Sequence, residues 1–335
     1  MAKKILLSHS YAPGDVVCMT ACVRDLHATY PGEYQIHVDG SCPELWQNNP
    51  HIASVGQGRF AGGTRRLHLS YLPQMQESDR VRLHFLTAFH RALATHLGHP
   101  VPVRQPKGDL HLASDERVRP IPGRYWILVA GGKTDIETKI GSQARFQEVV
   151  ESLGDHGIPV VQAGAIAPGH RHPRLSGVQD FVGRTSLREA LQLVWHADGV
   201  ICPVTFLMHV AAAFDKPCVV LAGGREPLWW AAYVNSDVSY FGPQCSQVPV
   251  PHRFLHTLGQ LECCRDGACW KSKLSARIQS NEICTLPVEV SRGQMIPACL
   301  DSISAESVVN SVLTYYRSGE LPLRGTDDSK KGGAK

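Results

Sequence analysis

Residues 5–38 read ILLSHSYAPGDVVCMTACVRDLHATYPGEYQIHV, and this stretch decides the fold. Ile5-Leu6-Leu7 is a short apolar run that stops at the turn-prone Ala12-Pro13-Gly14-Asp15. Val16, Val17, Met19, Thr20, Val23 and Leu26 then recur at helical spacing until Tyr30-Pro31-Gly32 ends the pattern. Tyr34 to Val38 alternates as a strand does. Strand, tight glycine turn, helix and strand make a βαβ unit, the sign of a parallel α/β sheet.

Working outward, helix-like stretches between Arg80 and Leu97 fit the same layering, and Pro100, Pro102, Pro106, Pro120 and Pro122 punctuate a connecting region. A domain boundary is expected near residue 120. The alternation then restarts. Trp126 to Ala130 reads as a buried strand ending in Gly131-Gly132. A helix capped by Ser142 shows Phe146, Val149, Val150 and Leu153 on one face. Strands at 159–162, 199–202 and 218–222 alternate with helices at 187–195 and 207–214. This is the pattern of a doubly wound domain, whose ligands sit beyond the carboxyl ends of the strands. From Cys245 to about Cys299 the alternation fails and the chain reads as irregular, cysteine-bearing loop. Glu306 to Tyr316 is a last amphipathic helix, and the polar tail GTDDSKKGGAK, residues 325–335, is expected to be disordered.

The composition agrees. The chain has 335 residues, 43% hydrophobic and 19% charged, enough apolar material for two cores. A net charge of +4 suits a phosphate-bearing ligand but is far below that of a dedicated nucleic-acid binder. No apolar run reaches the ~18–20 residues of a spanning helix. The basic start is followed by only three apolar residues before Ser8, which makes it a first strand rather than a signal peptide, and a cytoplasmic location is expected.

Three junctions between strand and helix carry chemistry. Asp15, after the flexible Gly14, either accepts a proton from an attacking hydroxyl or stabilises the helix N-terminus through its dipole. Gly131-Gly132-Lys133 through Lys139 is either an anion-binding turn at a helix start or a solvated lysine-bearing loop; it matches neither GxxxxGK[ST] nor GxGxxG. In Cys202-Pro-Val-Thr-Phe-Leu-Met-His209, Thr205 and His209 either donate hydrogen bonds to a phosphate or ribose, or are structural.

Gly14-Asp15-Val-Val, Lys139 ahead of the Ser142–Leu153 helix, Thr205-Phe-Leu-Met-His-Val-Ala-Ala212 and Gly224-Arg-Glu-Pro227 recur in an order that resembles glycosyltransferase family 9, the ADP-heptose:lipopolysaccharide heptosyltransferases and their relatives. The likeness covers most of residues 1–240. It implies a GT-B fold: two facing Rossmann-like domains, an acceptor domain over 1–120 and a nucleotide-sugar domain over 121–244. After these come a cysteine-rich metal-binding insert over 245–303, a C-terminal helix over 304–322 and a disordered tail over 323–335. It also implies a metal-independent, inverting transfer from a nucleotide-diphosphate sugar such as ADP-heptose, with Asp15 as base and Gly14 beside it on the acceptor side. Gly131, Gly132, Lys133, Lys139, Thr205, Phe206, Leu207 and His209 would handle the donor, where cationic and amide groups stabilise the leaving diphosphate. Val204 stands where lipopolysaccharide enzymes usually carry aspartate, and Phe206 where they carry glycine, so the sugar-reading part of the pocket departs from theirs.

Eleven cysteines are many for a reducing compartment. Five lie between Cys263 and Cys299, and a structural zinc or iron on Cys264, Cys269, Cys284 and Cys299, with Cys263 as substitute, would staple this loop. In composition the insert resembles the cysteine-bound iron motif of autotransporter heptosyltransferases. Arg253, His256, Arg265, Lys271, Lys273 and Arg277, with Trp270, give it a basic cast. The acceptor is left open between glycolipid, protein and modified nucleobase, and the oligomeric state is not legible. Two competing functions are a non-catalytic nucleotide-sugar-binding module, disfavoured by the presence of Asp15, and a metal-stapled nucleic-acid-binding protein, disfavoured by the modest charge.

Overall fold

The computed structural model describes residues 2–56, 63–78, 80–133, 139, 141–235, 238–269 and 284–322. The first half builds on β1 (Lys3–His9), α1 (Pro13–Thr29) and β2 (Tyr34–Gly40), followed by β3 (Ile52–Val55), β4 (Arg65–Leu67), α2 (Leu72–Glu77) and α3 (Phe85–Leu97). Its sheet is parallel, in the order β3-β2-β1-β4. Ile5, Leu6 and Leu7 are all buried, because layers cover both faces of the central strand. Every residue of α1 from Val16 to Leu26 is buried. The reason is that α3 packs on one side of it and a helix of the second half on another.

Burial of Arg24 and Asp25 within α1 is made tolerable by pairing. The Arg24 guanidinium donates to Asp25 at 2.9 Å and to the carbonyls of Lys107 and Gln105 at 2.9 and 3.0 Å. Asp25 also accepts from the Arg104 backbone N–H at 3.0 Å and pairs with His90 at 2.9 Å. This network clamps the proline-rich connection onto the first half.

The second half contains β5 (Trp126–Leu128), β6 (Gly132–Lys133), α4 (Gln143–Asp155), β7 (Val160–Gly164), β8 (His170–Arg171), β9 (Gln179–Val182) and α5 (Leu187–His196). It continues through β10 (Gly199–Pro203), α6 (Phe206–Ala213), β11 (Cys218–Gly223), α7 (Leu228–Ala231) and β12 (Arg253–His256). The chain ends in β13 (Pro287–Ser291), β14 (Gln294–Pro297), α8 (Ala298–Asp301) and α9 (Ala305–Arg317). Its main sheet is parallel, ordered β12-β11-β10-β5-β7-β9. Trp126 and Leu128 point into a core with α4, α8 and α9, while Ile127 and Val129 point into the opposite core with α5 and α6. The second core is continuous with that of the first half. Arg188 of α5 strengthens the junction by pairing with Glu116 and donating to the carbonyls of Glu44 and His111 at 3.1 and 2.8 Å. The α/β class with parallel sheets is therefore as expected.

The structure differs in detail. The helix expected from Arg80 begins at Phe85, where the Nδ1 of His84 accepts from the Leu86 backbone N–H. Residues 245–299 are not irregular throughout: Arg253–His256 is the edge strand of the second sheet, and Pro287–Pro297 forms an antiparallel hairpin. A four-residue, half-buried edge strand carries no readable alternation, and pairing with β11 is what makes it a strand. Ser142 does cap α4, accepting from the Arg145 N–H. The tail 325–335 and the basic residues Lys271, Lys273 and Arg277, with Trp270, lie outside the described residues.

Candidate active site

The strands of both sheets end at one cleft, as parallel α/β sheets present ligand sites beyond their carboxyl ends. A cavity of about 520 Å³ opens there. Gly14, Asp15, Gly131, Gly132, Lys133, Lys139, Thr205, Phe206, Leu207 and His209 all line it, so residues up to 195 positions apart in sequence meet around one space.

Asp15 stands in the first turn of α1, whose N-cap Ala12 offers no side-chain bond. Burial pushes the Asp15 carboxyl up to about 6, against the pull of a hydrogen bond from Ala12 and of Lys139 and Lys133. The carboxylate thus touches the helix start and also lines the cavity. Gly14 is small for a reason. A Cβ there would lie 3.1 Å from Cδ2 of His209 and 3.5 Å from the Phe206 Cα, so glycine lets the starts of α1 and α6 abut.

Opposite stands a charged cluster. The Lys139 ammonium pairs with Glu226 at 2.9 Å and donates to the Val204 carbonyl at 3.0 Å. Glu226 pairs with Arg225 as well. Burial opposes ionisation of Glu226, but Lys139, Arg225 and His209 outweigh it and hold the carboxyl below its usual range. Arg225 and Glu226 belong to the Gly224-Arg-Glu-Pro227 segment, legible as a motif but not as cavity wall until β11 and α7 bring it there.

Thr205 is the N-cap of α6 in extended conformation, and its hydroxyl makes no cap bond. His209, one turn on, is held down to about 4 by burial, with Lys139 adding to the shift and Glu226 opposing it. It is therefore a neutral imidazole at physiological pH. The cavity wall also includes Tyr71, Met75, Phe85 and, from the second half, Trp230, none of which periodicity alone marks as site residues. Phe85 and Trp230 meet with ring centroids 5.3 Å apart.

The glycine turn differs from the expected anion loop. Gly132–Lys133 does not open a helix but pairs as a short strand with His170–Arg171. A Cβ on Gly131 would lie 2.0 Å from the Arg171 carbonyl oxygen, so strand pairing is what requires glycine there, whereas Gly132 faces open space. This pairing brings Lys133 and His170 into the cavity wall.

The cysteines fall elsewhere. Cys263, Cys269, Cys284 and Cys299 line one small void of about 10 Å³ behind Arg225. Cys264, expected among the four, instead turns its thiol to the Thr257 carbonyl at 3.2 Å, packed against Gly224. Cys263 takes its place because a short 3-10 turn, Glu262–Cys264, points neighbouring side chains in different directions. Among the described residues no group of three or more His, Cys, Asp or Glu side chains is arranged so that it could hold a metal ion, and the four thiols converge without meeting. Also among the described residues, no helix is long and apolar enough to cross a membrane.

Comparison with known proteins gives a consistent picture. The model of glycosyltransferase family 9 (heptosyltransferase) matches residues 59–249, more than half of the chain. The structure is similar to that of a glycosyl transferase family 9 protein from Veillonella parvula DSM 2008, at 15% identity, covering 94% of this chain and 97% of that one, with a TM-score of 0.64. It is similar to the dodecameric iron-containing heptosyltransferase TibC of enterotoxigenic E. coli H10407, solved with ADP-D-beta-D-heptose, at 17% identity, 95% and 78% coverage and a TM-score of 0.63. E. coli ADP-heptose lps heptosyltransferase II matches at 15% identity, 95% and 100% coverage and a TM-score of 0.53. At these identities the likeness is one of fold. No curated protein matches the chain in sequence.

Proposed function

The chain belongs to glycosyltransferase family 9 and is a glycosyltransferase, and from that premise we propose that it moves a sugar, heptose first among candidates, from a nucleotide diphosphate to an acceptor hydroxyl with inversion and without a catalytic metal. The observation that carries this reading is the cavity itself: a carboxyl raised to about 6 on one wall faces Lys139, Arg225 and the start of α6 on the other. Asp15 takes the proton of the acceptor hydroxyl as its oxygen attacks the anomeric carbon. The bond from that carbon to the diphosphate oxygen breaks on the opposite face, which inverts the centre. Lys139, Arg225 and Thr205 stabilise the charge that develops on the departing diphosphate. Because Glu226 already neutralises part of that cationic wall, a diphosphate would take over its partners.

In this reading the acceptor approaches from residues 1–120 and the donor is held by residues 121–244. ADP-heptose is favoured as donor because TibC was solved with it on the same fold. The acceptor is a hydroxyl on glycolipid, protein or modified nucleobase. Although the four thiols do not form a metal site as they stand, in this reading Cys263, Cys269, Cys284 and Cys299 would close around a structural zinc or iron that staples segment 245–303. Support comes from the convergence of four thiols on one void. Four thiolates leave a tetrahedral ion no open position, so the metal would fix this segment behind Arg225 and take no part in transfer.

The test is to incubate the protein with ADP-heptose and with UDP-sugars, with each acceptor class, in the presence and absence of EDTA, and to weigh the products. A glycosylated acceptor formed equally with EDTA is expected. Release of nucleotide diphosphate without product in every combination would remove the transfer reading.

A further inference from the structure

We propose that Tyr233 is a positioning residue that holds the imidazole of His209 in its Nε2–H tautomer, so that His209 presents an uncharged hydrogen-bond donor to the cavity. This role rests on the reading of that cavity as a nucleotide-diphosphate site. Tyr233 follows α7 and is fully buried, as is Cys18 of α1. The Tyr233 hydroxyl lies 2.7 Å from Nδ1 of His209, and the Cys18 thiol lies 3.3 Å from the same nitrogen and 3.6 Å from the phenol oxygen.

The assignment of protons follows from what each group needs. Burial pushes both the Cys18 thiol and the Tyr233 phenol far up, so both keep their protons, while it keeps His209 neutral. A neutral imidazole has one N–H and one bare nitrogen. If the proton sat on Nδ1, the phenol could donate only to the sulfur at 3.6 Å, spending the stronger donor on the weakest acceptor. With the proton on Nε2, the phenol donates to Nδ1 over 2.7 Å and the thiol donates to the phenol oxygen. The thiol, the phenol and Nδ1 then each have a partner, as buried polar groups require.

The other end of the ring carries the consequence. Nε2 would stand 3.7 Å from a Cβ placed on Gly14, at the mouth of the cleft between α1 and α6. A proton there points a neutral donor at whatever anion Lys139 and Arg225 attract, without a third positive charge beside them. The Tyr233 ring is itself braced by His84, His252 and Phe241, with centroids at 4.8, 5.2 and 6.3 Å, so its hydroxyl has little freedom to leave Nδ1.

The experiment uses the full chain, ADP as the probe, and nitrogen-15 NMR of the histidine rings, with His209→Gln identifying the His209 signals. In the wild type we expect a pyridine-like Nδ1 and a pyrrole-like Nε2. Tyr233→Phe, which keeps the ring, should mix the tautomers and weaken ADP binding about three- to tenfold. A pyrrole-like Nδ1 in the wild type overturns the proposal, and so does a Tyr233→Phe variant with unchanged tautomer and affinity. If Tyr233→Phe does not fold, the wild-type spectrum decides alone. Equal ADP affinity in wild type, Lys139→Ala and His209→Gln would instead remove the donor-site reading, a failure distinct from a wrong tautomer.

Discussion

Lys139 and Glu226 form an ion pair of 2.9 Å in the wall of the cavity, 87 positions apart in sequence, with Arg225 on the same carboxylate. Were a diphosphate to bind there, as proposed, it would compete with Glu226 for these cations. Glu226→Ala should remove the carboxylate shared by two poorly solvated cations and cost on the order of 2–4 kcal/mol. ADP should then restore more stability to this variant than to the wild type. Thermal unfolding with and without ADP checks this, and an equal gain in both proteins would mean that the diphosphate does not replace Glu226.

Asp15→Asn is expected to abolish transfer while leaving ADP affinity nearly intact. In the wild type, kcat/KM should rise with pH through about 6, because the base must be deprotonated. A profile that stays flat there, or turnover by the variant, would remove Asp15 from the base role.

The same carboxyl makes a stability prediction. Its folded value lies above the ordinary 3.8, so the folded protein holds the proton more tightly than the unfolded chain, and stability is lost as pH rises from about 4 through about 6. Asp15→Asn should therefore be the more stable protein at neutral pH, by about 1–3 kcal/mol, and equal to wild type in acid. Urea unfolding across this range gives the answer.

Gly131→Ala would drive a Cβ into the Arg171 carbonyl, whereas Gly132→Ala meets open space. The first should destabilise by about 1–3 kcal/mol and weaken ADP by displacing the strand pair that carries Lys133. The second should do neither. Similar behaviour of the two variants in calorimetry would contradict the pairing of β6 with β8.

Metal analysis of protein purified without chelator should find about one zinc or iron per chain, fixed by four thiolates. Cys263→Ser should lose it and Cys264→Ser should keep it. The opposite pattern would restore Cys264 to the ligand set, and an empty, stable wild type would end the staple idea.

Much of this protein is determined by sequence alone. The βαβ pattern of residues 5–38 and the strong apolar strands at 126–130, 199–202 and 218–222 specify parallel sheets, because buried strands and amphipathic helices leave a periodic record in one stretch of chain. The glycines and polar residues at strand ends, Gly14-Asp15 and Thr205 to His209, were legible for the same local reason. What only the tertiary structure decided is pairing at a distance: β12 as an edge strand, Cys263 rather than Cys264 at the thiol void, and Tyr233 behind His209. A four-residue strand, the direction of a thiol on a 3-10 turn and the partner of an imidazole carry no periodicity. They are set by the packing of segments that are not neighbours in sequence, β11 against β12, Arg225 against the thiols and Tyr233 against His209.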